Sequence, residues 1–527
     1  MLAERDRALP AARTASRVPV TDTVGGCVVA HARARPDAVA FVEATSGDAM
    51  TWRESDGRAD AIASGLIAAG YARGDRFAVQ LADGPDVHCA YVGCERAGLV
   101  TVGIGPRAGE REVAHLMERT GAVALARGSA DLPIGATAVP AGRAFGPDDL
   151  WMLNSTSGTT GLPKCVMHHQ RRWFEFHRLA VEAADLGPGD VFASALPAPF
   201  GFGLWTAHFS PAILGAPCVV IERFNAEALI AAIERYRVTV LAAVSTQFVM
   251  MLNSPALDRH DCSSLRVLFT GGEMVPPDRA SEFESRTGAR VLQFYGSNET
   301  GAMSRTTLRD PETVRLHTAG HALASMQVRI FDPETGTDIT ATGGPGVGAC
   351  RGPLTCLGYW DDDEANAALL TPDGWMRSGD IVTIDPPGTA EGVLSVRGRA
   401  SDFIIRGGKN ISAAYVEEQV ATHPAVALCA AVAAADPVFG ERVCCFVVLR
   451  GGTDSLTLLE LTDHLAARGT GKEHWPELLV VVADDLPRSS GGKVAKGELR
   501  ARARDLAGTH HIDSSSATSA SVPPLGT

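Results

Sequence analysis

The run LIAAIERYRVTVL, residues 229–241, changes its period in the middle. Leu229, Ile230, Ile233 and Tyr236 recur at three- and four-residue spacing and share one face of an α-helix. Val238, Val240 and Leu241 then open an apolar stretch suited to a buried strand. Working outward, the same rhythm occurs upstream. Ala59, Ile62, Ala63, Leu66 and Ile67 make a helical stripe, Gly70 and Gly74 punctuate, and Phe77, Val79 and Leu81 alternate as in a strand. Repeated helix-then-strand alternation predicts an α/β protein with largely parallel, in part mixed, sheets.

At 527 residues the chain exceeds one ordinary core, so at least two domains are expected. The texture changes near residue 400. Upstream, 336–346 is rich in Gly, Thr and Pro, and 350–396 reads as short strands broken by turns. Downstream, a helix at 415–420, apolar strands at 426–433 and 443–449 and a helix at 456–467 suffice for a small α+β domain. The expected division is a frayed leader (1–24), a large N-terminal domain (25–400), a small C-terminal domain (401–506) and a tail (507–527) with too few apolar residues to order.

The net charge of −13 argues against nucleic acid or an anionic membrane as the partner, but not against a nucleotide, whose pocket is built locally. Eleven scattered cysteines without a CxxC pair suit a reducing cytoplasm rather than a disulfide framework or a structural zinc site. No run of about 18 apolar residues suggests a membrane span. The Arg-rich start contains Glu4 and Asp6 and lacks the apolar stretch of a secretory signal. His168 and His169 are adjacent but have no neighbouring metal-ligand pattern.

Five motifs carry the chemistry. Ser155-Thr156-Ser157-Gly158-Thr159-Thr160-Gly161-Leu162-Pro163-Lys164 combines turn-permitting glycines, hydroxyl donors and a cation, as a polyphosphate cradle requires, although it lacks Walker A spacing. Phe294-Tyr295-Gly296-Ser297-Asn298-Glu299-Thr300 follows an apolar strand. Its aromatic–Gly step suits base stacking, and Glu299 offers a hard oxygen to Mg²⁺. Trp375-Met376-Arg377-Ser378-Gly379-Asp380 ends in a carboxylate able to accept ribose hydroxyls. Gly398-Arg399-Ala400-Ser401-Asp402 stands at the domain boundary and runs into Ile404–Asn410. Leu486–Val494 puts Lys493 on a glycine turn. Taken singly, the last two also read as solvated loops.

In this order, over about residues 25–505, the five motifs resemble the acyl-adenylate-forming superfamily, which contains acyl- and aryl-CoA synthetases, luciferases and nonribosomal peptide synthetase adenylation domains. Within it, Leu196–Leu204 and the RGGKNIS of 406–412 look most similar to CoA ligases for cyclic aliphatic and medium-chain acids. The resemblance implies a small domain that rotates over a large one. It implies that the 155–164 loop holds the β- and γ-phosphates of ATP, with Thr159 among the catalytic groups. Gly271, Gly272, Glu273 and Tyr295 would border adenine, with Gly296 and Asn298 beside the nucleotide. Glu299 would bind Mg²⁺, and Asp380 and Arg399 the ribose. Lys493 would reach the carboxylate and α-phosphate, and Gly407 and Gly408 would line the pantetheine channel of coenzyme A. Two positions depart from the family: Asn298 replaces Thr before the metal-binding Glu, and the hinge residue is Ser401 rather than Asp or Lys.

The implied reaction makes an acyl-adenylate from acid and ATP, then passes the acyl group to a thiol. Amino-acid adenylation domains place Asp directly after the Phe at the level of Phe200. Here Gly201 stands there, and an ammonium buried without a carboxylate is disfavoured. Phe200, Phe202, Trp205, Phe248, Phe294 and Met303 suggest an apolar pocket for a ring or a medium-length chain, although each equally suits core packing. An acyl carrier protein or an amine as acceptor stays open beside coenzyme A, as does a catalytically dead nucleotide binder.

Overall fold

The computed structural model describes residues 21–155, 163–273, 275–388, 392–399, 402–407, 409–453, 455–483, 485–488 and 494–509. Among these residues thirteen strands join in one mixed sheet. At its centre, Phe192–Ser194, Val240–Ala242, Val267–Thr270 and Arg290–Ser297 run parallel. Helices Ala226–Tyr236, Ser245–Asn253 and Pro277–Thr287 lie between them in the chain. Alternate residues of these strands enter different cores: Val267, Phe269 and Leu292 pack on one face, Leu268 and Val291 on the other. Two covered faces explain why the strands read as continuous apolar runs.

After Arg290–Ser297 the pairing turns antiparallel, through Gly301–Arg305 and His321–Ala322 to Val393–Arg399 and its partner Met376–Asp385. The 350–396 stretch is therefore less broken than expected, since Met376–Asp385 is a ten-residue strand. A second sheet sets Arg76–Val79, Val100–Gly103, Ala124–Ala126 and Met152–Ser155 parallel, with Cys165–His168 antiparallel at its edge. Arg76–Val79 is flanked on both sides, so Phe77, Ala78 and Val79 are all buried, and Leu81 lies beyond the strand. The stripe at 59–67 belongs to a longer helix, Trp52–Ala68. Its start is set by a capping box in which Thr51 Oγ1 accepts from Glu54 N and Glu54 accepts from Thr51 N.

The chain leaves the large sheet at Arg399 and enters a small one at Phe403. That small sheet joins Phe403–Arg406, Lys409–Ser412, Val426–Asp436, Gly440–Leu449 and Leu478–Val482. Ala413–Ala421 and Leu458–Ala467 share its core on one face, while the terminal helix Lys496–Thr509 packs on the other. The two domains meet where Leu428 packs on the large domain's second core.

At the N-terminus, helix Val24–Ala34 reaches into the expected leader. Thr23 caps it, and Gln170 accepts from Val24 N at 2.8 Å. The last helix runs past 506, and 1–20 and 510–527 lie outside the described residues. Ser401 does also. Among the described residues no helix is long and apolar enough to cross a membrane.

Candidate active site

Parallel α/β sheets bind ligands beyond the carboxyl ends of their strands. Here those ends carry the motifs. Gly271 follows Val267–Thr270, and a side chain there would overlap the carbonyl of Phe294, with a Cβ only 2.4 Å from that oxygen. Gly272 follows at positive φ. Glu273 turns toward helix Ser245–Asn253 and accepts from Thr246 Oγ1 at 3.0 Å, so it is anchored at that helix's start.

Tyr295 donates to Asp380 at 2.8 Å, and Arg399 stands 3.5 Å from the other oxygen of that carboxylate. Asp380 and Arg399 face each other across paired strands, which is why residues 19 apart in sequence act together. Burial, reinforced by the Asp380 charge, raises the Tyr295 phenol well above its usual range. Tyr295 thus stays a neutral donor that orients the carboxylate. Gly296 sits at the irregularity in the pairing of Arg290–Ser297 with Gly301–Arg305, after which the chain turns at Ser297–Thr300.

Glu299 accepts from the hydroxyl of Tyr359 at 2.8 Å, and Lys164 Nζ lies 4.9 Å from the centre of the same ring. Burial and the Glu299 charge raise the Tyr359 phenol, so it too acts as a donor. One aromatic side chain therefore spaces the loop lysine from the acidic residue. Among the described residues the second oxygen of Glu299 has no hydrogen-bond partner.

Ser155 ends the strand Met152–Ser155 and is buried, and Lys164 precedes the returning strand. The strands on either side of the expected phosphate loop are thus antiparallel partners. Thr156, Ser157, Gly158, Thr159, Thr160 and Gly161 lie outside the described residues, as do Gly408 and Lys493. Gly407 lies on the small sheet's first hairpin, at positive φ, donating to Phe439 O at 2.8 Å.

A polar relay that the motifs do not reveal runs beneath this edge. Arg172, buried, donates to His168 Nδ1 at 2.8 Å, and His168 Nε2 donates to Asn154 Oδ1 at 2.7 Å. Asn154 Nδ2 donates to Pro199 O at 2.9 Å, and Asn298 Nδ2 donates to Asn154 Oδ1 at 2.7 Å. Burial, with Arg172 beside it, holds the His168 imidazole neutral, and burial lowers Arg172 to about 10. His168 is therefore a relay residue and not a metal ligand. Asn154 and His168 flank the Ser155–Lys164 loop on paired strands, and that pairing was the one signal in the sequence that could have linked them.

The expected pocket residues divide. Phe200, Gly201 and Phe202 are half-buried, at the start of the helical segment that follows Pro199. A Cβ at Gly201 would stand 3.2 Å from Trp173 Cη2 and 3.3 Å from Asn298 Oδ1, so Trp173 and the Asn298 amide wall this position. Trp205 and Met303 are fully buried. Phe294 packs among Phe176, Trp205 and Phe269 and keeps only 5% exposure. Phe248 belongs to the core on the other sheet face, against Phe283. These four side chains back the site rather than face it.

The AMP-binding enzyme family matches residues 28–360, and the AMP-binding enzyme C-terminal domain matches 415–493. The medium-chain fatty-acid–CoA ligase of Escherichia coli (strain K12) is 30% identical over 510 residues, covering 89% of this chain and 88% of the relative. The feruloyl-CoA synthase of an Amycolatopsis species is 32% identical over 505 residues, covering 91% and 99%. The crystal structure of ATP-bound MatB from Rhodopseudomonas palustris superposes with a TM-score of 0.78 at 25% identity, covering 92% and 99%. With the strand-end geometry, two family matches in order and relatives spanning nearly the whole length, the chain belongs to the AMP-binding, adenylate-forming enzymes.

Proposed function

We propose that this protein is an AMP-forming carboxylic acid–CoA ligase acting on an acid with an apolar body. The observation that carries the acid class is the wall at Gly201: an indole ring and a neutral amide stand where an ammonium would need a carboxylate. The similarity to ligases for a medium-chain fatty acid and for a ferulic acid supports the same class.

In the first step an oxygen of the acid carboxylate bonds to the α-phosphorus of ATP, and the bond to pyrophosphate breaks. Asp380, oriented by Tyr295 and Arg399, accepts from the ribose and fixes the nucleotide in register. Lys164 and the hydroxyl-rich 155–164 segment neutralise and bind the β- and γ-phosphates. Glu299 fits Mg²⁺, since among the described residues its carboxylate keeps one oxygen without a partner and Mg²⁺ takes few protein carboxylates beside phosphate oxygens. When bound, the ion supplies charge neutralisation to the leaving pyrophosphate. Lys493 is assigned the α-phosphate and carboxylate, where negative charge grows in the transition state. In the second step the sulfur of coenzyme A bonds to the acyl carbon, AMP departs and the thiol proton is released. The eleven cysteines are free thiols, in keeping with a reducing cytoplasm.

Replacing Glu299 by Gln tests the reading. Pyrophosphate release with apolar acids should fall by about 10² or more, while thioester formation from preformed acyl-AMP stays near normal. Pyrophosphate release near the wild-type rate across magnesium concentrations would remove Glu299 from the metal site. An absence of acyl-CoA with every aromatic, alicyclic and medium-chain acid supplied to the wild-type protein would remove the ligase reading.

A further inference from the structure

The relay beneath the site has a direction, and that direction decides what Asn298 offers to the acid. Arg172 is donor-only, so its bond to His168 Nδ1 leaves the imidazole proton on Nε2. That proton goes to Asn154, so the Asn154 atom facing His168 is its oxygen. At the other end Pro199 O is acceptor-only, and it meets the Asn154 nitrogen at 2.9 Å. Both ends agree on one orientation of the Asn154 amide.

The orientation passes on to Asn298. Its nitrogen donates to Asn154 Oδ1 at 2.7 Å, which fixes its oxygen as the atom that borders Gly201. A second tie holds the turn: Arg172 Nη2 donates to the Asn298 carbonyl at 3.1 Å. Asn298 Oδ1 in turn accepts from Asn154 Nδ2 at 3.3 Å, a long bond that uses one of its two lone pairs and leaves the other. Thr at 298 offers one hydroxyl that rotates to suit its neighbour. The amide offers a fixed carbonyl, 3.3 Å from where the Cβ of residue 201 would stand. The space that another side chain at 201 would claim is therefore bordered by a neutral acceptor, with the Trp173 ring beside it.

We infer that Asn298 is a specificity-determining residue whose Oδ1 accepts a hydrogen bond from a neutral hydroxyl or amino donor near the acid's carboxylate, so that the substrate class is a donor-bearing acid on an apolar body. This deepens the ligase reading and rests on it. The carbonyl is too weak a partner for an ammonium, which needs a carboxylate, but is matched to an uncharged O–H or N–H. An acid lacking the donor enters and leaves the acceptor poorly paired, which lowers its kcat/KM.

The test uses pairs of acids that differ in one donor: benzoate against 2-hydroxybenzoate, 2-methoxybenzoate as a donor-less control of size, and octanoate against 2-hydroxyoctanoate. For the wild-type protein the donor-bearing member of at least one pair should have a kcat/KM about tenfold higher, with 2-methoxybenzoate no better than benzoate. In Asn298→Leu, similar in volume but without the acceptor, that ratio should fall to about one. Gly201→Ala provides a second variant should Asn298→Leu not fold, because its methyl would press on both Oδ1 and Trp173 and should also reduce the ratio. Equal use of both members by the wild type, a preference for the donor-less member, or a ratio unchanged in folded Asn298→Leu would each overturn the inference. The ligase reading survives those outcomes as long as acyl-CoA forms; a panel in which no acid yields acyl-CoA sinks both.

Discussion

Buried polar groups are the least forgiving residues in this protein, because each needs a partner of the right kind. Asp83, a half-buried residue whose carboxyl is tucked against the Pro197–Phe200 loop, illustrates this. It accepts from Ala198 N at 2.6 Å and so steadies the Pro197–Phe200 loop, but burial outweighs that bond and raises its carboxyl to about 7. In the unfolded chain the same group ionises near pH 4. The native state therefore holds the proton that the unfolded state loses between about pH 4 and pH 7. Its contribution to stability falls across that window and stays at its lower value above it. Asp83→Asn keeps an oxygen for Ala198 N and removes the titration. Thermal unfolding should show a gain in Tm over wild type that is larger at pH 8 than at pH 5; a pH-independent difference would contradict the buried-acid account. The Arg172–His168 pair follows the same logic from the cationic side, since burial beside Arg172 keeps the imidazole uncharged and makes the relay's polarity definite.

At the scale of elements, the small domain is tied together where it begins and where it ends. Asp402 opens it, and Arg500 of the terminal helix bonds Asp402 at 2.6 Å. Lys496 of the same helix meets Glu417 of Ala413–Ala421 at 2.7 Å and Asp402 at 3.8 Å. Glu417 also accepts from Ala431 N in the neighbouring strand. Burial raises the Glu417 carboxyl, and Lys496 opposes that rise. The cluster joins the entry to the first strand, a helix, the edge strand Val426–Asp436 and the terminal helix, which starts three residues after Lys493. Lys496→Met leaves Glu417 uncompensated and should cost about 3 kcal/mol. Hydrogen exchange should report faster opening of Val426–Asp436 with protection of Val240–Ala242 and Val267–Thr270 unchanged. Equal loss in both domains would mean that the cluster supports the whole chain rather than its own domain.

At the scale of the molecule, the chain crosses from one sheet to the other between Arg399 and Phe403, so a rotation there carries the entire small domain. The reading in which Lys493 serves only phosphate chemistry makes a paired prediction. Lys493→Ala should slow acyl-AMP formation by about 10² or more, yet leave thioester formation from supplied acyl-AMP near normal. Ser401→Pro, which fixes φ at the crossing, should bias one orientation and affect the two half-reactions unequally in the other sense. Rapid-quench measurement of both steps in both variants decides it; equal losses throughout would indicate a single fixed geometry.

What the sequence alone determined was everything carried by local pattern. Helical and strand periods around Leu229–Leu241 set the α/β class, and the ordered motifs from Ser155 to Lys493 announced the family, because loop chemistry and strand burial are written in neighbouring residues. Only the tertiary structure decided which side chains meet. Asn154 and Asn298 pair across 144 positions, and Tyr359 reaches Glu299 across 60, with no local pattern to bring either pair together. Only the structure showed which of the expected pocket residues are buried, setting half-buried Gly201 beside Trp173 while burying Met303 and Phe248. The physical reason is that an aromatic or thioether side chain satisfies a core and a ligand pocket through the same contacts. Which of the two it serves depends on the sheet face it occupies and on the strand that packs across from it.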